Sequence, residues 1–291
     1  MNRNIIKGLV LPLAVVAVGV LTVASGCKTG GRHEGGEQTS ADTTFVGAEF
    51  DADTAFAYVE RQVAMGPRVP GTEANARCAE MIVEELKRHG ADTVMVQRGE
   101  VTAFNGDRFP VANVMGSFNR GAGRRVLLLA YYDTRPWADN DDNPTNRALP
   151  IPGANDGASG VAVLLEVARQ IGAKHPAVGV DLLFVDGEDY GESAGFSNHD
   201  ESWALGTQLW TRNMPYAPDA LPDYAVLLDM VGGMGAKFHR EYYSHQNAPD
   251  IVDRVWSIAS RTGFGDRFPN LPGGAVVDDH LYVCSVPESL Q

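Results

Sequence analysis

Short apolar segments alternate with amphipathic helical segments along most of this chain. Three of the apolar segments, 126–130, 178–185 and 225–228, are apolar at nearly every position, which is typical of strands buried on both faces of a sheet. Helical periodicity surrounds them, so we expect an α/β fold with a central sheet covered by helices on both faces. The predicted strands are 93–96, 111–115, 126–130, 178–185 and 225–228, and the predicted helices are 53–65, 72–89, 158–171 and one around 251–258.

Three local details of these helices follow from residue type. Asp53 is the expected N-cap of the first helix, because an aspartate side chain accepts hydrogen bonds from free backbone N–H groups. Cys78 falls on the apolar face of the second helix and is expected to pack in the core. Trp203 and Trp210 are seven residues apart, which predicts that they lie on one helix and pack inward; the alternative that one of them lines a substrate pocket stays open.

The N-terminus has the features of an export signal. Arg3 and Lys7 precede an apolar run over 8–24, and small residues stand directly before Cys27. The run is short for a membrane span and contains Pro12. This pattern is similar to bacterial lipoprotein signals. It predicts removal of residues 1–26, a lipid-modified Cys27, and an extracytoplasmic protein anchored to a bacterial membrane, on the periplasmic side or the cell surface.

Composition limits the kinds of partner and the kinds of fold that we expect for this chain. The chain of 291 residues has 24 basic and 37 acidic residues and a net charge of −13, whereas a nucleic-acid partner requires a basic surface. We therefore expect no nucleic-acid partner. Three cysteines are too few for a disulfide framework. Residues 27–49 are rich in Gly, Ser, Thr and Glu and are expected to form a flexible tether, which leaves 50–291 as a single folded domain.

Acidic residues stand directly after the apolar strands. Any one of them has an ordinary explanation as a solvated turn residue, and Asp156 as a helix N-cap. Together they lie where α/β folds place their sites, on the loops beyond the strand ends. Crowded carboxylates are costly unless a cation or shared protons compensate them, so the set predicts a site. The acidic positions are Asp133, Asp156, Asp186, Glu188, Asp189, Asp229, Asp278 and Asp279.

Six motifs in fixed order carry a family resemblance. Together they resemble the zinc-dependent glutaminyl cyclases of the bacterial lipoprotein type, a branch of the clan that includes the M28 zinc aminopeptidases. The resemblance runs from about residue 50 to about 282 and implies a mixed central sheet covered by helices. The motifs are Gly-Pro-Arg-Val-Pro-Gly at 66–71, Asp-Thr-Arg-Pro-Trp-Ala-Asp at 133–139, Pro-Gly-Ala-Asn-Asp at 152–156, Asp-Gly-Glu-Asp at 186–189, Leu-Asp-Met at 228–230 and Asp-Asp-His at 278–280.

The resemblance implies a reaction and a set of roles. The reaction converts the N-terminal glutamine of peptides and proteins to pyroglutamate with release of ammonia, using one zinc ion per chain as a Lewis acid. Asp156 and Asp189 correspond to zinc ligands, and Glu188 to the general acid/base that moves a proton from the amine to the leaving ammonia. Asp229 and Asp278 correspond to the family's proton network around that glutamate. Asp279 and His280 are expected to be supporting residues.

Two positions depart from the family pattern. Tyr131 stands where the clan has a histidine that binds metal in two-metal aminopeptidases, and a tyrosine hydroxyl stays neutral at ordinary pH. The family's third zinc ligand is a histidine roughly two dozen residues beyond the Asp-Asp-His motif. This chain ends at Gln291, so we expect that ligand, together with the closing strand and helix, to be missing. Two alternatives stay open: an M28-type zinc aminopeptidase, and an inactive truncated surface domain without the catalytic histidine.

Overall fold

The computed structural model describes residues 49–193, 200–217 and 220–284. The predicted signal, Cys27 and nearly all of the predicted tether lie outside the described residues, as does the segment 285–291. None of the helices in the described ranges combines the length and apolar character needed to cross a bilayer.

A mixed five-stranded sheet forms the centre of the domain, in the order β1-β2-β4-β3-β5. β2 is antiparallel to both β1 and β4, whereas β3 runs parallel to β4 and β5. The predicted fold class is therefore confirmed. The strands are β1 Thr93–Thr102, β2 Arg108–Phe118, β3 Arg125–Tyr131, β4 Gly179–Val185 and β5 Ala225–Leu227.

The hairpin formed by β1 and β2 is longer than the sequence predicts. β1 lies at the edge of the sheet and alternates between half-buried and exposed residues toward its end. Polar residues such as Arg98 and Glu100 therefore interrupt the apolar pattern, although the ladder continues to the pair Thr102 and Arg108. Edge strands need only one apolar face, so apolarity alone underestimates their length.

Seven α-helices surround the sheet in the described ranges. The first begins one residue earlier than predicted, because the N-cap is Asp51 and not Asp53. The Asp51 side chain accepts a hydrogen bond from the backbone N–H of Thr54 at 2.9 Å. The helices are α1 Ala52–Ala64, α2 Glu73–Arg88, α3 Ala158–Lys174, α4 Leu205–Arg212, α5 Tyr242–Asn247, α6 Pro249–Arg261 and α7 Asp279–Cys284.

The two tryptophans do not share a helix, so that prediction was wrong. Helix α4 begins at Leu205, and Ala204 before it has a φ of 54°, a left-handed conformation that ends helical continuity toward Trp203. Trp210 lies on α4 and is buried against the sheet. The spacing of seven residues gives no indication that a residue between the two tryptophans has a left-handed conformation.

Helices cover both faces of the sheet. On one face α1, α2 and α3 pack over the largest core cluster, which includes Cys78 as predicted. On the other face Trp210 of α4 packs against residues of β3 and β4. The carboxyl ends of β3 and β4 lie side by side, with Tyr131 paired to Val185. The loops that leave these ends therefore begin next to one another.

Candidate active site

A cavity of about 770 Å³ opens where the loops after β3, β4 and β5 meet the turn before α3. Because these three strands are parallel, their carboxyl ends reach the same edge of the sheet. The structure brings together the five carboxylates to which the family resemblance gave roles in zinc binding and proton transfer, whereas Asp133, Asp186 and Asp279 of the acidic set do not line the cavity. The predicted residues that line the cavity are Asp156, Glu188, Asp189, Asp229 and Asp278.

Arg68 fixes the turn that carries Asp156. Its side chain is fully buried and donates to the carbonyl oxygens of Tyr132 at 3.0 Å, Pro152 at 3.0 Å and Gly153 at 2.6 Å. Gly153 has a φ of +63°, and a Cβ there would lie 2.6 Å from Nη2 of Arg68. Only glycine allows this close approach. Sequence reasoning quoted Arg68 within a motif but gave it no role.

Asp133 fixes the loop that carries Glu188 and Asp189. The Asp133 carboxylate is completely buried and accepts the backbone N–H of Glu188 at 3.0 Å and that of Asp189 at 3.1 Å. Asp133 thus orients the two backbone positions without lining the cavity. Asp156 is not an N-cap, because Gly157 occupies the position before α3 and no side chain caps that helix.

The hydroxyl of Tyr131 lies between two site carboxylates. It is 2.5 Å from Oδ1 of Asp156 and 2.5 Å from Oδ1 of Asp229. Burial, followed by the charges of Asp229, Glu188 and Asp156, raises the pKa of Tyr131 well above its usual value. The phenol is therefore neutral and links Asp156 and Asp229: its single proton is donated to one of them, and its oxygen accepts from the other when that carboxyl is protonated. The sequence identified Tyr131 as a departure from the family pattern but not as this link.

Burial and neighbouring like charges raise the pKa of Glu188 and Asp278. The pKa of Glu188 lies well above its usual range because the side chain is buried and because Asp278 and Asp189 carry like charge beside it. Asp278 is raised in the same way, by burial and by the adjacent Asp279. A carboxyl with a raised pKa keeps its proton to higher pH than an ordinary carboxyl, a property that general acids share.

The two carboxyls on either side of Asp156 are also perturbed. Burial and the charge of Asp156 raise the pKa of Asp189 to about 8, although Arg135 opposes the shift. Burial raises the pKa of Asp229 to about 6, and the hydrogen bond from Tyr131 opposes that rise. The cavity thus concentrates negative charge that its own cationic side chain does not fully compensate.

The donor chemistry of the cavity fits part of a divalent-cation site. Asp156 and Asp189 present carboxylate oxygens to one cavity, and a cation between them would relieve the repulsion that raises the pKa of Asp189. No histidine in the described ranges lines this cavity. Within the same ranges, no group of three His, Cys, Asp or Glu side chains is placed to hold a metal ion. The described residues therefore account for two ligands.

The residues expected to be supporting lie behind the cavity wall. Asp279 is fully buried at the start of α7, and among the described residues neither of its carboxylate oxygens has a hydrogen-bond partner. Burial raises its pKa to about 7, although the neighbouring Thr207 hydroxyl opposes the shift. His280 points to Glu241, with 3.4 Å between Nε2 and Oε2. Neither Asp279 nor His280 lines the cavity.

Sequence reasoning gave Arg135 no role at the site, and it left open whether Trp203 or Trp210 lines a pocket. Arg135 and Trp203 both line the cavity, and the Arg135 guanidinium lies 5.0 Å from the Trp203 ring. The sequence held one signal for Arg135, its spacing of four from Asp139, with which it forms an ion pair. The sequence did not decide between Trp203 and Trp210, because their different positions depend on the left-handed conformation of Ala204 before α4.

Comparison with solved structures identifies close likenesses. The chain is 49% identical to the glutaminyl cyclase of Tannerella forsythia, with a TM-score of 0.78 and 82% of each chain covered. It is 47% identical to a Zn-dependent exopeptidase from Parabacteroides distasonis, with the same TM-score and the same coverage. Its neighbours thus include proteins described by both activities.

Comparison with curated proteins gives more distant matches. The chain is 26% identical over 189 residues to the glutaminyl-peptide cyclotransferase of Bos taurus, covering 57% of this chain and 48% of that protein. The chain spans about half or less of the length of the curated relatives it matches.

The model of peptidase family M28 matches residues 113–283. This span is more than half of the chain and contains every residue that lines the cavity. The match agrees with the mixed sheet, with the position of the cavity beyond its parallel strands and with the solved neighbours. The chain belongs to peptidase family M28.

Proposed function

We propose that this protein is a zinc-dependent glutaminyl-peptide cyclotransferase. The observation that carries the proposal is the position of Glu188, a buried carboxyl with a raised pKa, in a cavity beside Asp156 and Asp189. The likeness to bacterial glutaminyl cyclases supports the same activity. The proposed reaction closes an N-terminal glutamine on its own amine and releases ammonia.

The reaction needs no nucleophile from the protein, because the attacking amine belongs to the substrate. The new bond joins the α-amino nitrogen to the side-chain carbonyl carbon, and the bond from that carbon to the amide nitrogen breaks. Asp156 and Asp189 would hold one zinc ion, which when bound supplies a Lewis acid for the carbonyl oxygen. What remains for the protein is to orient the substrate and to move one proton.

Glu188 is the residue proposed to move that proton. As a carboxylate it accepts a proton from the attacking amine, and as an acid it returns the proton to the leaving ammonia. Its raised pKa means that it holds a proton to higher pH than an ordinary glutamate, which suits a group that must return a proton to the leaving ammonia. Asp278 helps to set that pKa through its charge. Asp229, linked through Tyr131 to Asp156, is proposed to complete the proton network.

The proposed substrates are peptides and proteins that begin with glutamine. The cavity is lined by carboxylates at its base and by apolar side chains at its rim, such as Leu149, Ile151 and Val276. The carboxylates at the bottom of the cavity attract the positively charged N-terminal amine of the substrate. The rest of the substrate peptide contacts the apolar rim. We further propose that Cys27 carries a lipid that anchors the protein on the extracytoplasmic side of the membrane.

The peptidase alternative is less well supported by the geometry. The Tyr131 hydroxyl contacts both Asp156 and Asp229 at 2.5 Å, and a neutral phenol is a poor replacement for the metal-binding histidine of two-metal aminopeptidases. Family membership and the exopeptidase neighbour keep hydrolysis testable in the same assay. The product separates the two activities, because hydrolysis releases the first residue and cyclisation releases ammonia.

The test uses the purified chain with zinc and a peptide that begins with glutamine, followed by mass spectrometry. We expect the peptide to lose the mass of ammonia, and we expect Glu188→Gln to abolish the loss. Glu201→Gln is the matched control, because Glu201 is exposed on a neighbouring loop. Release of free glutamine would indicate a peptidase. An unchanged peptide would contradict cyclase activity for this chain and support the inactive surface domain.

A further inference from the structure

Arg135 is a buried cation whose position the proposed chemistry leaves unexplained. Only 5% of the residue is exposed. Its guanidinium lies 5.1 Å from the ring of Trp137 and 5.0 Å from the ring of Trp203, so two indoles flank it. A planar guanidinium stacks on aromatic rings and still donates hydrogen bonds in its own plane, which an ammonium cannot do.

The in-plane donors of Arg135 reach both loops of the cavity. Within the loop after β3, Nε and Nη2 pair with the two carboxylate oxygens of Asp139 at 2.9 and 2.6 Å. Across the cavity wall, Nη1 lies 3.4 Å from Oδ1 of Asp189 and donates to the carbonyl oxygen of Gly191 at 3.1 Å. Nη2 also donates to Oγ of Ser193 at 2.5 Å.

Gly191 allows Trp203 to pack closely against the loop after β4, because glycine has no side chain. A Cβ at Gly191 would lie 2.0 Å from the Trp203 ring, so only glycine lets that indole lie against the loop backbone. Trp203 is thus packed between Gly191 and Arg135. One side chain therefore connects three parts of the cavity wall: the loop after β3, the loop after β4 and the segment before α4.

We propose that Arg135 is a positioning residue that holds the Asp189 carboxylate in orientation for a divalent cation and holds Trp203 in the substrate-facing wall. The proposal rests on the proposed function for the identity of the substrate, but not for the orientation of Asp189. Groups that orient a metal-binding carboxylate from behind contribute roughly 10- to 100-fold to metal affinity.

An electrostatic effect of Arg135 and a positioning effect predict opposite changes in zinc affinity when Arg135 is replaced. Measuring zinc affinity therefore tests the proposed role. A nearby positive charge opposes cation binding, so a purely electrostatic effect predicts that Arg135→Met binds zinc more tightly. A positioning role predicts weaker binding in Arg135→Met. It also predicts weaker binding in Arg135→Lys, because lysine keeps the charge but loses the planar fork.

The experiment measures zinc affinity of the metal-free full-length chain by competition with a chromophoric chelator. We expect both variants to bind zinc roughly 10-fold or more weakly than wild type. Arg125→Lys is the matched control, because Arg125 also pairs with a buried aspartate, Asp181, but lies away from the cavity. Unchanged affinity in Arg135→Lys, tighter binding in Arg135→Met, or wild-type chain that binds no zinc would overturn the proposal.

Two further measurements protect the test from misfolding and from failure of the proposed function. Asp139→Asn leaves Arg135 in place but removes its strongest anchor, so we expect a smaller loss of zinc affinity in the same direction; no loss in a folded Asp139→Asn would count against the proposal. Tryptophan fluorescence should report greater quenching by acrylamide in the Arg135 variants. Wild type that binds zinc but does not cyclise peptide would contradict the proposed function alone.

With an active wild type, kinetics separate positioning from general structural damage. We expect Arg135→Lys to raise KM for the glutamine peptide through the displaced Trp203 wall and to recover kcat at saturating zinc. A fall in kcat that saturating zinc and substrate do not restore would contradict a positioning role for this residue.

Discussion

The domain buries carboxylates in two regions and treats them in opposite ways. Behind the sheet, between α1, α2 and α3, Glu85 and Glu166 are fully buried and paired. Glu85 forms ion pairs with Arg61 at 2.5 Å and with Arg88 at 2.9 Å, and Glu166 accepts two hydrogen bonds from Arg169. At the carboxyl ends of the strands, buried carboxylates face one another instead.

The two regions differ in which groups compensate the buried carboxylates. A buried carboxylate paired with arginines and hydrogen-bond donors has partners within the protein, and these contacts join the helices that pack around it. A buried carboxylate that faces other carboxylates has a raised pKa, as Glu188 and Asp278 do, and at Asp189 the ion pair with Arg135 opposes the rise without cancelling it. Such a cluster requires protons or a cation, which is why it suits catalysis.

The largest effect should come from removing one site carboxylate while leaving the paired region intact. Glu188→Gln keeps shape and hydrogen-bonding capacity but cannot take a proton, so we expect turnover of a glutamine peptide to fall by about 10²- to 10⁴-fold. Ammonia release measures the rate, and thermal unfolding checks the fold. A variant that keeps its turnover would remove Glu188 from the mechanism.

The complementary change breaks the paired region. Glu85→Gln leaves two arginines and the Tyr58 hydroxyl without their charged acceptor, so we expect the free energy of unfolding to fall by about 1–3 kcal/mol. Urea unfolding at neutral pH measures it. Glu84→Gln, an exposed neighbour on α2, should change stability by less than about 0.5 kcal/mol. Equal effects at the two positions would show that pairing does not distinguish them.

The unpaired region should also set the pH dependence of stability in the metal-free chain. Burial raises the pKa of Asp279 from 3.8 to about 7, so the folded state holds a proton that the unfolded state has lost. This contribution to stability is fully present below the unfolded pKa and disappears as pH rises through about 7. For one group the slope is up to about 1.4 kcal/mol per pH unit.

Asp279→Asn isolates that contribution. We expect the variant to lose less stability than wild type between about pH 4 and pH 7, because the amide carries no titrating proton. Unfolding midpoints across this range, measured with chelator present, give the slopes. Asp142→Asn, an exposed position on the loop before α3, should leave the slope unchanged. An unchanged slope in Asp279→Asn would show that the carboxyl does not titrate in this range.

The smallest expected effect concerns the link between two carboxylates. Tyr131→Phe removes the hydroxyl that donates toward Asp229, and this hydrogen bond is one of the influences that hold the pKa of Asp229 down to about 6. We expect the pKa of Asp229 to rise by up to about one unit in the metal-free variant. Infrared titration of aspartate-labelled protein, with Asp229→Asn to assign the band, measures the change. A lower pKa would contradict the assigned direction.

Much of the architecture was predictable because buried strands and helices have characteristic patterns of apolar residues along the sequence. The strands β3 and β4 and the helices α2, α3 and α6 came from apolar runs and helical periodicity. The edge strand β1, the cap at Asp51 and the reversal before α4 were misjudged. Each of these depends on exposure or on a single backbone torsion, for which residue type is a weak guide.

The sequence by itself determined that carboxylates meet at one edge of the sheet, because carboxylates placed after apolar strands converge when those strands run parallel. Only the tertiary structure decided how the carboxylates are held. Arg68, Asp133 and Arg135 act across more than fifty residues of chain separation, and Tyr131 meets Asp229 across 98. Hydrogen bonds over such separations depend on packing in three dimensions, and no local pattern along the chain encodes them.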